Sequence, residues 1–497
     1  MEDFTYLYDV FKENHGTISI TARMTGFDWL AHKEDFEEEV RRTKNDREFA
    51  EVMSKLLCLT MDAHTQIHGG QLVAGCRMPG TAKIYQQIVA EKGLEQAADY
   101  WLELAKRAKS TPSYIGFPAL YHAGEYIVVR GFTTGGVEIK PGYKVVGVNG
   151  VPVDEYVRSH LGYNYLSWDP VRRKIYEDPL LVPAKPGTVA MLFRDLAGDL
   201  VETKLSTKDL PPWQYKRCPV YSANDGVRLR EGLFVKVFPD LAAYIRVEEM
   251  FQWSDPQDVK RFREFLNSVK DLPALIIDIR GNFGGDDGCW GRMIQWITAQ
   301  PLRCAFTFML TSGNYVHELL KELTLGRLIS KPGFIGSLSP AEKARIAPEF
   351  FSPRFLDQLA SGEEIVNPED SIGFRGHVYL LVDDKSCSSS ANFAYVCKEA
   401  GWATIVGTWP GGGVGFSPAI AILPNSRMAL TFPVGFGLNP DLTANEEFRT
   451  MPDVLVEDYQ AFLKAYTAIA SGELHNLDPE YDPILAACFE LIKKQDH

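Results

Sequence analysis

Ser388 stands at the junction of an apolar run and a helical one, and that junction is where chemistry is first legible. Residues 377–384 (HVYLLVDD) have the β-branched texture of a buried strand, residues 385–390 (KSCSSS) are small and polar, and ANFAYVCKEAG reads as a helix closed by Gly401. A strand that passes into a helix through serines sets a hydroxyl beside unpaired backbone N–H groups carrying partial positive charge, a setting for a nucleophile with an oxyanion site. The same serines also read as an ordinary helix cap.

Three further constellations bear on that choice. In MDAHTQIH (residues 61–68) a histidine follows a helix end, so His64 is free to project as a general base, which must come within about 3 Å of the hydroxyl it serves. His64 and His68 are spaced as a metal pair, yet no Glu follows His64 as in HExxH and no third ligand is signalled, so no metal is expected. ALIIDIRGNFGGDDGCWGRMIQWI is a strand ending in a glycine-rich bend that opens a helix; Gly281, Gly284 and Gly285 permit positive φ and close approach of amides to a ligand. A phosphate loop is rejected there, because GK[ST] and GxGxxG are missing and Asp286 and Asp287 would repel a phosphate. An oxyanion donor loop and a plain tight turn both remain. Finally, LTANEEFRTMPDV offers Glu446 or Glu447 as a carboxylate to orient a histidine, an exposed acidic loop being the alternative.

The elements that must position these groups fall into segments. Residues 1–111 read as a helical domain, with DWLAHKEDFEEEVRRT and REFAEVMSKLLCLTM at helical spacing; residues 112–207 are short β runs with Gly and Pro turns. Residues 208–456 alternate apolar strands and helices, as an α/β layered domain does, interrupted by a mainly helical insertion at about 312–373 that includes a capping box at Ser339–Glu342 and the run FFSPRFLDQLASG. Residues 457–497 form a helical tail. A net charge of −13 argues against a general affinity for nucleic acid or an anionic membrane surface. MEDFTYLYDVFKEN has neither a basic start nor an apolar core of a leader, and no apolar stretch approaches the roughly 18 residues of a membrane span, so a cytoplasmic location is expected. Cys58, Cys76, Cys218, Cys289, Cys304, Cys387, Cys397 and Cys488 lack CxxC spacing and read as reduced thiols.

Taken together, DAHT near the end of a helical arm, strand-DIRGNFGG and strand-KSCSSSANFAYVCKEAGWATIVG resemble the tail-specific or carboxyl-terminal processing serine peptidases, most closely their tricorn core branch, over roughly residues 1–456. The resemblance implies a layered, crotonase-like α/β catalytic domain with a PDZ-like β module and an N-terminal helical domain. It makes Ser388 the nucleophile, with the amides of Ser389 and of Gly284 or Gly285 as the oxyanion site. The processing branch uses a lysine base about 25 residues after the serine; Gly413 occupies that position, so a Ser-Lys dyad is excluded. The tricorn-like branch uses a histidine in a D-G-H-T type motif, which Asp62, Ala63, His64 and Thr65 resemble, and a glutamate, for which Glu446 aligns best and Glu447 second. Arg449 and Thr450 replace a Gly-Val of the family, and Ala391 stands where a Glu is usual.

YIGF (Tyr114, Ile115, Gly116, Phe117) resembles the loop of a PDZ module that meets a peptide carboxylate, although Tyr143 replaces the usual Asp of PGD. The function implied is hydrolysis of peptides or unstructured protein segments through an acyl-enzyme at Ser388, by an endopeptidase or a carboxyl-terminal processing peptidase. No metal or organic cofactor is required, and assembly as a homo-oligomer is implied by resemblance. Two other readings are carried forward: a catalytically inactive ligand-binding member of the fold, and a peptide-tailoring acyl transferase acting on a precursor peptide. All depend on whether His64 and Ser388, far apart in the chain, meet in space.

Overall fold

A computed structural model describes residues 1–78, 81–109, 114–184, 187–211, 226–321, 327–415, 418–472 and 477–495. The expected domain boundary at 111/112 and Cys218 lie outside the described residues.

The apolar run Ala274–Asp278 is buried at every position, which suits a central strand covered on both faces. It pairs in parallel with Ala242–Val247 and His377–Val382 within a seven-stranded sheet, Thr404–Gly407 following on the far side. Alternate residues feed two cores. Leu275, Ile277, Leu380 and Val382 pack with Phe262, Leu266, Trp290 and Phe393 from the helices Pro256–Val269, Gly288–Ile297 and Ser389–Glu399. On the opposite face Ile276, Tyr379 and Leu381 meet Leu485, Cys488 and Phe489 of the helix Pro483–Gln495. The C-terminal tail is therefore a layer of the α/β fold. A polar lock completes it: Arg280 donates to both oxygens of Asp482 at 2.8 and 2.7 Å, while Asp278 accepts from Arg280, Arg246 and Tyr244. Burial pushes the Asp278 carboxyl up, but the two guanidiniums more than offset it and hold it below the usual range.

The N-terminal arm is helical as expected, from Glu2–Asn14 to Leu94–Lys109, with Asn45 capping Asp46–Cys58 by accepting from the Glu48 amide at 3.0 Å. It also carries a strand the helical reading does not contain. Gln66–His68 pairs antiparallel with Ala429–Phe432, so the arm is hydrogen-bonded into the C-terminal half of the chain. Behind that seam Phe4, Leu7, Phe11, Trp29, Met53 and Leu57 share a core with Leu310, Tyr315, Leu430 and Phe432.

One expectation is corrected. Residues 355–366, read as part of a helical insertion, form the strand Phe355–Val366, because nearly their whole length pairs with Leu302–Thr311. The capping box on the short helix Pro340–Lys343 is present, Ser339 Oγ accepting from the Glu342 amide. In the β module, Ala119–His122, Glu125–Val128, Lys144–Val148, Thr188–Arg194 and Leu200–Ser206 make the sheet. Tyr114, Ile115 and Gly116 pair with Pro183, Val182 and Leu181, the Phe117 amide donates to the Leu180 carbonyl at 2.7 Å, and the Phe117 side chain is a core residue. The amide a terminal carboxylate would need at Phe117 is thus already committed within the chain.

Phe432 packs against Phe11 and Tyr315 at ring centroids 5.5 and 5.4 Å away and has no exposed surface. Phe432→Ala is expected to cost about 3–5 kcal/mol, read as a lower urea midpoint, whereas Phe283→Ala, at a position 70% exposed, should leave the midpoint unchanged.

Candidate active site

The strand His377–Val382 ends at the turn that delivers Ser388, and the backbone there departs from ordinary geometry. Ser388 has φ 55 and ψ −124, a conformation L-residues avoid, immediately before the helix Ser389–Glu399. Holding a non-glycine residue there costs on the order of 1–3 kcal/mol, so neighbours must over-determine it. They do so from two sides. The Cys387 amide donates to the Asn282 carbonyl at 3.1 Å, and Ser386 Oγ to the Ile279 carbonyl at 3.0 Å, tying the turn to the glycine-rich bend. The Ser388 amide donates to the Gly412 carbonyl at 2.9 Å, tying it to the loop after Thr404–Gly407.

The bend lies hard against the serine. A side chain at Gly284 would fall 2.8 Å from Ser388 Cβ and 2.9 Å from the Ser389 nitrogen, and Gly284 has φ +101, so both space and backbone require glycine. The Gly284 amide donates to Asn282 Oδ1 at 2.9 Å. The Ser389 and Gly285 amides have no acceptor among the described residues, which leaves them available to a developing oxyanion.

His64 arrives from the arm. Helix Asp46–Cys58 ends, Met61 turns at φ 54, and residues 62–65 lead into the strand Gln66–His68. Cross-links pin this loop: Thr431 Oγ1 donates to the His64 carbonyl at 2.5 Å, Tyr165 to the Thr65 carbonyl at 2.7 Å, and the Thr65 hydroxyl meets His15 Nε2 at 2.9 Å. Gly413 marks where the imidazole and the serine meet. A Cβ built on it would lie 2.8 Å from His64 Cε1 and 3.3 Å from Ser388 Cα, so those two atoms are at most 6.1 Å apart. This is the position of the lysine base in the processing peptidases, and here the room a side chain would fill is taken by the ring of His64. No hydrogen bond between His64 and Ser388 is closed among the described residues; such contacts often tighten only with substrate in place.

Three charged side chains complete the site. Asp62 Oδ1 accepts from the His64 amide at 2.8 Å, an Asx turn, and lies 3.6 Å from His64 Nδ1; its other oxygen accepts from Thr17 Oγ1 at 2.7 Å. Glu446 accepts from the Gly413 amide at 2.8 Å and from Arg449 Nη1 at 3.0 Å. Burial pushes His64 down, but the Asp62 contact and the charges of Asp62 and Glu446 outweigh it, so the imidazole titrates above its ordinary value. Burial pushes Asp62 up, yet His64, His15 and the Thr17 hydroxyl bring it to about 2. Glu446 is raised, burial and Asp62 outweighing Arg449.

The structure therefore brings Ser388, Ser389, Gly284, Gly285, His64 and Glu446 together. Glu447, the second candidate, faces elsewhere, accepting from Arg23 at 2.8 Å and pairing with Arg173. Tyr114–Gly116 and Phe117 belong to the β module. Asp62 was given no role from sequence, although Asp two residues before His64 carries the Asx-turn signal that finds it. Arg449 was registered only as a departure. Among the described residues no cluster suited to a metal occurs, and no helix is long and apolar enough to cross a membrane.

Comparison with known proteins bears on the fold. Residues 242–456 match peptidase family S41, which bears out the resemblance to the tail-specific and carboxyl-terminal processing serine peptidases and the mixed α/β fold it implied. No curated protein matches the chain. The structure of mature CPAF complexed with lactacystin is similar, at 14% identity and TM-score 0.56, covering 99% of this chain and 97% of that one. Mature CPAF alone gives 13% identity and TM-score 0.53 over 96% and 98%. These likenesses show the fold. The tricorn protease, at 14% identity and TM-score 0.29 over 94% of this chain and 39% of that one, is too distant to assign the chain to the tricorn branch.

Two outcomes are expected. Ser388→Gly, which removes the side chain from a left-handed position, should unfold about 1 kcal/mol later than Ser388→Ala, compared by thermal melting. Gly413→Ala should displace the His64 ring and slow reaction of Ser388 with a fluorophosphonate about 10²-fold, measured as a second-order inactivation rate.

Proposed function

We propose that the protein is a serine peptidase that cleaves peptides or unstructured protein segments through an acyl-enzyme at Ser388. The observation that carries the reading is the meeting of a pinned imidazole with a strained serine at a helix start whose first amide is unengaged. His64 takes the proton from Ser388 Oγ as that oxygen bonds to the scissile carbonyl carbon. The carbonyl oxygen, now an anion, receives the Ser389 amide and an amide of the 284–285 bend. The C–N bond then breaks, His64 returning its proton to the leaving amine, and a water activated by the same imidazole hydrolyses the ester. Imidazole exposure supports this traffic: the His64 side chain is 27% exposed, open to substrate but largely shielded.

Internal cleavage is favoured over carboxyl-terminal processing. The backbone of Tyr114–Gly116 is paired with Leu181–Pro183 and the Phe117 amide is spent on Leu180, so the loop offers a terminal carboxylate little to bind. The substrate enters extended, because a scissile bond must pass between the serine turn and the glycine bend.

A fluorophosphonate probe with peptide mapping tests the proposal. Labelling is expected at Ser388 and should vanish in Ser388→Ala and His64→Ala. Well-folded protein that takes up no label would instead support the ligand-binding reading, and products found cyclised or aminolysed in place of hydrolysed would support the acyl transferase.

A further inference from the structure

Two carboxylates stand near His64, and the chain has already committed one of them. Glu446 receives Arg449 Nη1 at 3.0 Å and the Gly413 amide at 2.8 Å, one donor on each oxygen. Arg449 is itself nearly buried and held at φ 57, and a Cβ at Gly412 would lie 1.5 Å from its Nη1, so the guanidinium is wedged in place. Arg449 replaces a glycine of the resembled family: a cation introduced at this point binds the glutamate that would otherwise be free to serve the histidine.

Asp62 has the opposite situation. One oxygen is fixed by the Thr17 hydroxyl at 2.7 Å, and the other accepts the His64 amide at 2.8 Å and stands 3.6 Å from Nδ1. That last separation is an ion-pair distance, longer than a hydrogen bond, and at that range both the contact and the charge of Asp62 raise the imidazole. Among the described residues no cation is paired with Asp62 other than the histidines: the titratable groups facing His64 and Asp62 are Glu446 and Arg449 from the loop after residue 444, His15 from the link after Glu2–Asn14, and Tyr165 from the β module.

We propose that Asp62, in place of Glu446, is the positioning residue for His64, fixing the tautomer that leaves Nε2 free to accept the serine proton and stabilising the imidazolium. This rests on the serine peptidase reading for its catalytic consequence, but not for the contact itself. The environments of the two acids agree with it. Asp62 is held ionised, at about 2, with its oxygen beside the ring, while Glu446 is occupied by the Arg449 guanidinium and the Gly413 amide.

The test reads the imidazole directly and the chemistry separately. In Ser388→Ala protein, the His64 ring proton is followed by NMR against pH, with and without Asp62→Asn. The His64 midpoint is expected above its ordinary value in the parent and about one pH unit or more lower in Asp62→Asn, with Glu446→Gln causing the smaller fall. In Ser388-containing protein, the rate of fluorophosphonate inactivation should rise with pH through the His64 midpoint, since only the neutral ring accepts a proton. Asp62→Asn should move that limb to lower pH and cut the plateau by 10²-fold or more, and Asp62→Glu should restore part of it. The proposal is overturned if Glu446→Gln causes the larger fall in midpoint and rate while Asp62→Asn leaves both in place. Should Asp62→Asn fail to fold, Thr17→Val, which releases the far oxygen, is expected to move the limb in the same direction by less; an unmoved limb in that variant also overturns it. Failure of the peptidase reading is distinct: the parent would take no label while the NMR midpoints still report the contact.

Discussion

A three-residue seam, Gln66–His68 on Ala429–Phe432, decides whether the imidazole of His64 stands beside Ser388 at all. The backbone ties that shape the turn carrying Ser388 come from residues 242–456, from strands in one sheet and glycines in two loops. The imidazole is not. It reaches the serine only because the arm buries Phe4, Phe11, Trp29 and Leu57 against Leu430 and Phe432, and because the seam fixes the register in which residues 62–65 leave it. A slip of one residue would turn His64 to the other face. Docking of the arm and assembly of the site are one event.

The serine side shows how strain is held. A left-handed Ser388 persists because its own amide and those of its neighbours are tied to Gly412 and Asn282, and because Gly284 and Gly413 leave no atoms where the turn needs space. Beneath the bend lies the Asp278–Arg280–Asp482 lock, which reaches from the central strand to the tail helix. The tail, remote in sequence, thus braces the loop whose amides face the serine. Rigid support of this kind is what preorganised electrostatic stabilisation requires, since donors that had to reorient on reaction would lose much of their effect.

Much of this was legible in the sequence, for reasons that differ by residue. Strand-turn-helix at Ser388 and at Gly284 follows from local pattern: apolar runs, small polar residues, glycines. The lysine's replacement by Gly413 was likewise readable, but its meaning was not, because the atoms that fill the vacated space come from an element nearly the whole chain away. Residues 355–366 were read as helical since FLDQLASG lacks strict alternation; pairing along Leu302–Thr311 overrode local preference. The pairing of YIGF was not legible either. A motif gives no notice that Leu180–Pro183 will return to pair with it. Glu446 and Glu447 are adjacent in sequence, yet one faces the histidine and the other Arg23 and Arg173, a choice made by a single helical turn, Asn445–Phe448.

His15 explains why Asp62 can serve one histidine alone. Two imidazoles lie within reach of its charge, and if both were protonated they would share it. Burial drives His15 down to about 4, Asp62 opposing and Arg354 assisting, and its Nε2 is already engaged by the Thr65 hydroxyl. At neutral pH His15 is therefore uncharged, and the field of Asp62 acts on His64, which is raised. Below about pH 6.5 the unfolded chain binds a proton at His15 that the folded chain refuses until near 4, so this site withdraws stability as pH falls through that window. The same burial that leaves the field of Asp62 to His64 thus places an acid-sensitive group in the arm.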